Sequence, residues 1–196
     1  MSCSDSGAPR THLGRRSLLL VALVCTLPVV ASYFMFYVWK PTRFTNYGEI
    51  LEVKPLPDAQ LRTLDGAPFS LSDLRGKWVV LALDSGDCDA ACREKLFKIR
   101  QIRLMQGKDM DRIERLWLVS DGVRPDPDLA RLHRGTWMVD ARGSELPALL
   151  PAQGSPRDYI YLIDPLGNLM MRYPRDADPS GMKKDFIRLL KVSQVG

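Results

Sequence analysis

Two thiols stand close together in the middle of this 196-residue chain: Cys88 and Cys92, three residues apart within Asp84 to Leu96 (DSGDCDAACREKL). Residues four apart share a face of a helix, and their Cα atoms then lie about 6 Å from one another, within the reach of a disulfide. Such a pair can exchange disulfides, clamp a soft metal ion between two thiolates, or form a permanent bridge. A bridge closing so small a loop removes little chain entropy, which weighs against the last. With Cys88 at a helix start, backbone N–H groups favour its thiolate, while Asp84, Asp87 and Asp89 oppose a second negative charge and Arg93 and Lys95 offset them in part. The pattern predicts Cys88 as a mild attacking or first metal-binding thiol and Cys92 as the resolving or second one, both at an accessible helix start. Asp87 reads as the N-cap and Asp89 as a first-turn acid suited to the helix dipole.

A cysteine pair can be oxidised and persist as a disulfide outside a reducing compartment, so the location of the domain bears on these thiols. Residues 17–39, from Ser17 to Trp39, carry no charge. At about 1.5 Å per residue they make roughly 34 Å of helix, enough to cross a bilayer core. The run is long for a cleaved signal, Ser32-Tyr33-Phe34 after Ala31 is a poor processing site, and Val24 is too bulky to precede a lipidated Cys25. Tyr33, Phe34, Phe36, Tyr37 and Trp39 form an aromatic belt at one end. Arg10, Arg15 and Arg16 precede the span against Lys40 and Arg43 after it, which favours an inner N-terminus. The expected organisation is an inner tail over residues 1–16, a transmembrane helix over 17–39, a stalk over 40–57 and an outer domain over 58–196. Of the formal charge of +5, residues 1–43 hold five basic residues against Asp5 alone, and the remainder holds 23 basic and 22 acidic residues. The basic balance belongs to the membrane flanks, so a nucleic-acid groove is not expected.

The elements that position the thiols follow from periodicity. Leu61 to Phe69 reads as a hairpin around Asp65-Gly66, and Ser70 to Gly76 as one capped helical turn. Trp78 to Leu83 is apolar throughout, as expected of a central strand covered on both faces, and Leu116 to Ser120 is a second such strand. Between them Leu96, Phe97, Ile99, Ile102 and Met105 recur at helical spacing opposite Arg93, Lys95, Arg100 and Arg103. Asp126 to His133 reads as a short helix, and Tyr159–Ile163 with Leu169–Tyr173 as a hairpin. Pro179 to Val192 reads as a final helix with Met182, Phe186, Leu189 and Leu190 facing inward. The order predicts an α/β domain, a mixed sheet flanked by helices.

FSLSDLRGKWVVLAL followed by Cys88-x-x-x-Cys92 resembles the thioredoxin-like superfamily, and within it the Sco/SenC family. Leu118-Val-Ser-Asp121 with Arg124-Pro-Asp-Pro-Asp is similar to that family's second strand and following loop, and Tyr159 to Asn168 (YIYLIDPLGN) to its terminal hairpin. The similarity covers roughly residues 55–192. It implies a thioredoxin-like fold, copper handling or thiol redox work, and maturation of the copper centre of cytochrome c oxidase at the bacterial inner membrane, with the domain in the periplasm. The implied partner is the oxidase copper-centre subunit or another assembly factor.

Copper-binding members add a histidine eight residues ahead of the aspartate of the hairpin turn; counting back from Asp164 lands on Pro156. The chain has two histidines, His12 and His133, neither at that position. Gly154-Ser-Pro156 instead resembles the Gly-x-Pro turn that faces the cysteines of redox-active thioredoxins, where the proline is cis. The resemblance thus leaves three functions open: thiol–disulfide exchange through Cys88 and Cys92, carriage of Cu(I) by the same two thiolates with Met138, Met170, Met171 or His133 as helpers, and a non-catalytic membrane scaffold with a structural disulfide.

Overall fold

The computed structural model describes residues 14–37 and 46–193. The tail with His12, the belt residue Trp39 and the flanking Lys40 and Arg43 lie outside the described residues. The chain divides into two compact units, 1–44 and 45–196. In the first, Gly14–Tyr37 forms one helix, α1, and Arg16–Met35 within it is long and apolar enough to cross a membrane. Tyr33 and Tyr37, one turn apart, stack with ring centroids 5.7 Å apart.

The second unit is built on one eight-stranded sheet. Its strands are β1 (Glu49–Pro55), β2 (Gln60–Thr63), β3 (Pro68–Ser70), β4 (Trp78–Asp84), β5 (Ile113–Val119), β6 (Thr136–Asp140), β7 (Tyr159–Ile163) and β8 (Asn168–Pro174), in the spatial order β1-β8-β7-β4-β5-β6-β2-β3. β4, β5 and β6 run parallel and the other pairings are antiparallel. Three helices complete the unit: α2 (Ala90–Leu104), α3 (Pro127–Leu132) and α4 (Pro179–Val192). This is the expected thioredoxin-like, mixed-sheet architecture.

The period of two in each strand divides the core between the two faces of the sheet. Val80, Ala82, Trp117, Ile160 and Leu162 face α2 and α4, where Leu96, Ile99, Phe186 and Leu190 meet them. Val79, Leu81, Leu116, Leu118 and Tyr161 face the other way, beneath two short 3-10 turns at Leu71–Leu74 and Leu146–Leu149. The first of these turns carries the anticipated cap: the Ser70 hydroxyl and the Asp73 carboxylate satisfy each other's backbone amides. Gly76 follows with φ +84°, a conformation that ends the turn at little steric cost for glycine alone.

Three sequence expectations change. Residues 49–55, expected in the stalk, form β1 and pair with β8, so the folded unit begins ahead of residue 58. The buried Asp185 carboxylate on α4 accepts from the Tyr47 and Gly48 amides, and Arg172 on β8 makes a bidentate pair with Glu49 at 2.7 and 2.9 Å. Thr136–Asp140, unassigned from sequence, is β6. On α2, Phe97 is exposed and Lys95 is buried, the reverse of the periodic reading.

Candidate functional site

β4 delivers the thiols. It ends at Asp84, and a turn over Ser85–Asp89 leads into α2. The N-cap is Asp89, whose carboxylate accepts the Cys92 amide at 2.8 Å, so Asp87 does not cap the helix. Asp87 is an exposed turn residue whose amide donates to the Ser85 hydroxyl. The shift has a simple cause: the cap must accept from an amide two or three residues on, and the helix begins at Ala90. Cys88 therefore sits just ahead of the cap and Cys92 in the first turn. They are joined by a disulfide with a Cα separation of 5.3 Å.

Neither sulfur lies at an accessible helix start. Cys88 is 6% exposed and Cys92 1%, packed into the same core as Trp117, Val119 and Leu129. The turn folds inward because a small, weakly polar side chain is as well accommodated in the core as a short hydrophobe. Its position is held from the helix side as well, since Arg93 Nε donates to the Cys88 carbonyl at 3.1 Å.

Beside the disulfide lies a group that residue type alone does not reveal. Lys95 is 1% exposed, and its ammonium pairs with Asp84 at 2.7 Å while donating to the carbonyls of Leu83 at 2.9 Å and Arg157 at 2.6 Å. Burial holds its pKa below the ordinary lysine value, and the Asp84 carboxylate opposes that shift. The signal in the sequence was its spacing: Cys92, Lys95, Leu96, Ile99 and Ile102 form one stripe, and a lysine inside it needs acceptors. Lys95 also draws the Pro156 turn up to the helix. Pro156 opens a 3-10 turn, Pro156–Asp158, capped by Ser155, and its peptide bond is trans. Ser155 and Arg157, together with Asp84, Asp89, Lys95 and Arg175, line a polar cleft of about 180 Å³ alongside the start of α2.

The other candidate ligands lie elsewhere. His133 ends α3 and its carbonyl accepts the amide of Thr136, which pairs with Arg115, four positions before the Val119 that pairs with Asp84. At about 3.3 Å per residue that places it on the order of 13 Å down the sheet from the thiol end. Burial, then the charges of Arg100 and Arg115, hold the His133 pKa below its ordinary value. Met171 is buried core, and Met138 and Met170 pack against the same core. Among the described residues no three His, Cys, Asp or Glu side chains are grouped to hold a metal ion, and Asp84 is committed to Lys95. Among the described residues the donors do not fit a copper site of two cysteines and a histidine.

The chain is similar to a Stutzerimonas stutzeri protein named "Putative copper-binding protein", at 25% identity over 189 residues, covering 89% of this chain and 87% of the relative. Its fold is similar to that of apo Sco1 from Thermus thermophilus, with a TM-score of 0.58 at 18% identity, over 76% of this chain and 99% of the other. It is likewise similar to copper-bound Sco1 from yeast, with a TM-score of 0.57 at 16% identity, over 71% and 96% of the two chains. At such identities these structures establish the thioredoxin-like fold that the sequence resemblance implied. Residues 78–193, from the first residue of β4 to the residue after α4, match the family model described as transmembrane-like, thioredoxin-like, C-terminal domain, and the chain belongs to that family.

Proposed function

We propose that this chain is a membrane-anchored, Sco-like thiol–disulfide exchange protein acting outside the bacterial inner membrane on the thiols of the cytochrome c oxidase copper-centre subunit, or on another assembly factor. The observation that carries the reading is the Cys88–Cys92 bond at the carboxyl end of the central parallel strand, directly ahead of α2. α1 supplies the anchor, and Arg10, Arg15 and Arg16, ahead of its uncharged run, supply the orientation.

In the oxidising direction a client thiolate attacks the Sγ of Cys88, the more exposed residue of the pair. The S–S bond breaks and its electron pair leaves on Cys92 Sγ. Cys92 lies in the first turn of α2, where the amide end of the helix favours the thiolate. A second client thiolate then attacks the client sulfur of the mixed disulfide and expels the Cys88 thiolate. The client is oxidised by two electrons and the pair is reduced. In the other direction Cys88 attacks a client disulfide and Cys92 resolves it.

Burial of both sulfurs favours a second reading, a static bridge in a non-catalytic scaffold. The copper named for the Stutzerimonas relative suggests a third, with Cu(I) as cargo between the reduced thiolates. One set of experiments separates them. Exchange predicts a reduction potential near about −200 mV and client conjugates trapped on Cys88 by Cys92→Ser but absent with Cys88→Ser. A potential below about −300 mV with no conjugates overturns exchange in favour of the bridge. Tight Cu(I) binding by the reduced protein, lost in Cys88→Ser, with no conjugates, overturns it in favour of cargo.

A further inference from the structure

An enclosed disulfide can exchange only if the turn that carries it moves, and the contacts holding that turn identify what controls the movement. We propose that Asp121 is a latch on the sulfur-bearing turn and sets how readily the Cys88–Cys92 bond is reached by an attacking thiolate. The use of the latch rests on the exchange reading; its existence does not.

Asp121 follows β5, in the loop alongside the carboxyl end of β4. One of its carboxylate oxygens accepts the Gly86 amide at 2.9 Å and the Val123 amide at 3.1 Å, and the other accepts the Ser85 hydroxyl. The Ser85 oxygen in turn accepts the Asp87 amide at 3.0 Å, so one carboxylate orders the three residues immediately before Cys88. Among the described residues, no other side chain from outside Asp84–Leu96 hydrogen-bonds to Ser85, Gly86 or Asp87. The backbones also touch: a Cβ on Gly86 would lie 1.8 Å from the Val123 carbonyl oxygen. Burial opposes ionisation of Asp121, but the donors from Gly86, Ser85 and Val123 outweigh it and hold the carboxyl below its ordinary pKa. The hydrogen bonds are therefore charge-assisted, the stronger kind. Cys88 is thus held between Arg93 on the helix and a turn clasped by Asp121.

The test measures reduction of the full chain in detergent by excess dithiothreitol, with Cys3 and Cys25 replaced by serine and the released thiols counted by alkylation. Asp121→Asn keeps the shape and removes the charge; it is expected to speed reduction about tenfold or more. Asp140→Asn, which removes a nearby carboxylate that does not touch the turn, leaves the rate unchanged. Leu190→Ala opens a cavity under α4 and reports how far general destabilisation alone accelerates reduction. The latch is overturned if Asp121→Asn reduces within about twofold of the parent rate, or no faster than Leu190→Ala at equal Tm. If Asp121→Asn is fast but no client is ever trapped on Cys88, the exchange reading falls and the latch stands.

Discussion

At the scale of single residues, the Lys95 ammonium is the clearest case of a cost met by placement. Its three N–H donors meet one carboxylate and two carbonyls, so the charge is buried with every donor engaged. Lys95→Met leaves the Asp84 carboxylate and both carbonyls without that partner and is expected to cost about 3 kcal/mol, read from urea midpoints at constant slope. His133 works in the opposite sense. It is buried, its Nδ1 is unpartnered, and its pKa is depressed by burial and by Arg100 and Arg115. The unfolded chain therefore takes up this proton at a higher pH than the folded one. Stability is accordingly unaffected above the unfolded value of about 6.5 and declines as pH falls through it, until the folded His133 also protonates. His133→Gln should flatten that part of the pH–stability profile; an unchanged slope would show that the proton binds elsewhere.

At the scale of elements, anchoring of the first strand decides where the fold begins. Asp185 gathers the Tyr47 and Gly48 amides and the Tyr173 hydroxyl on one buried carboxylate. Asp185→Ala is expected to cost about 2–4 kcal/mol and to raise amide exchange in β1 before β4, measurable by hydrogen exchange. The sequence made the central elements legible and the peripheral ones obscure, for physical reasons. β4, β5, β7 and β8 are dense in β-branched, aromatic and long apolar residues, and turns announce themselves by Asp65-Gly66 between β2 and β3, Ser70-x-x-Asp73 ahead of β4 and Asp164-Pro-x-Gly167 between β7 and β8. β1 is mostly exposed and alternates weakly, so it reads as linker. β6 shows solvent-facing Trp137 and half-buried Met138, which blurs its period. The cysteines were identifiable by type and spacing. Their burial was not, because it depends on a turn clasped by Asp121 and on acceptors for Lys95 that are contributed as far away as Arg157. Hydropathy likewise placed Phe97 inside and Lys95 outside, since it sees a residue's own chemistry and not the partners that other segments bring.

At the scale of the whole molecule, the unit over residues 45–196 contains every strand among the described residues and both core layers. Released from α1, it is expected to stay folded without detergent and to melt within about 2 °C of the full chain; a larger drop would mean that α1 contributes to its folding. The margins of its sheet bear on how a client would be met if the protein exchanges disulfides as proposed. One margin, β1, is broken by a register shift between Ile50 and Lys54, carries exposed Glu52 and Lys54, and stops at Pro55. The other, β3, is three residues long and starts at a proline. Neither offers the long, regular row of free amides and carbonyls that an extended peptide needs to zip on as a ninth strand. Under the proposed exchange reaction, a client would therefore have to be met by surfaces other than a sheet margin, and the reaction is expected to favour a folded neighbour over an unfolded thiol-bearing chain.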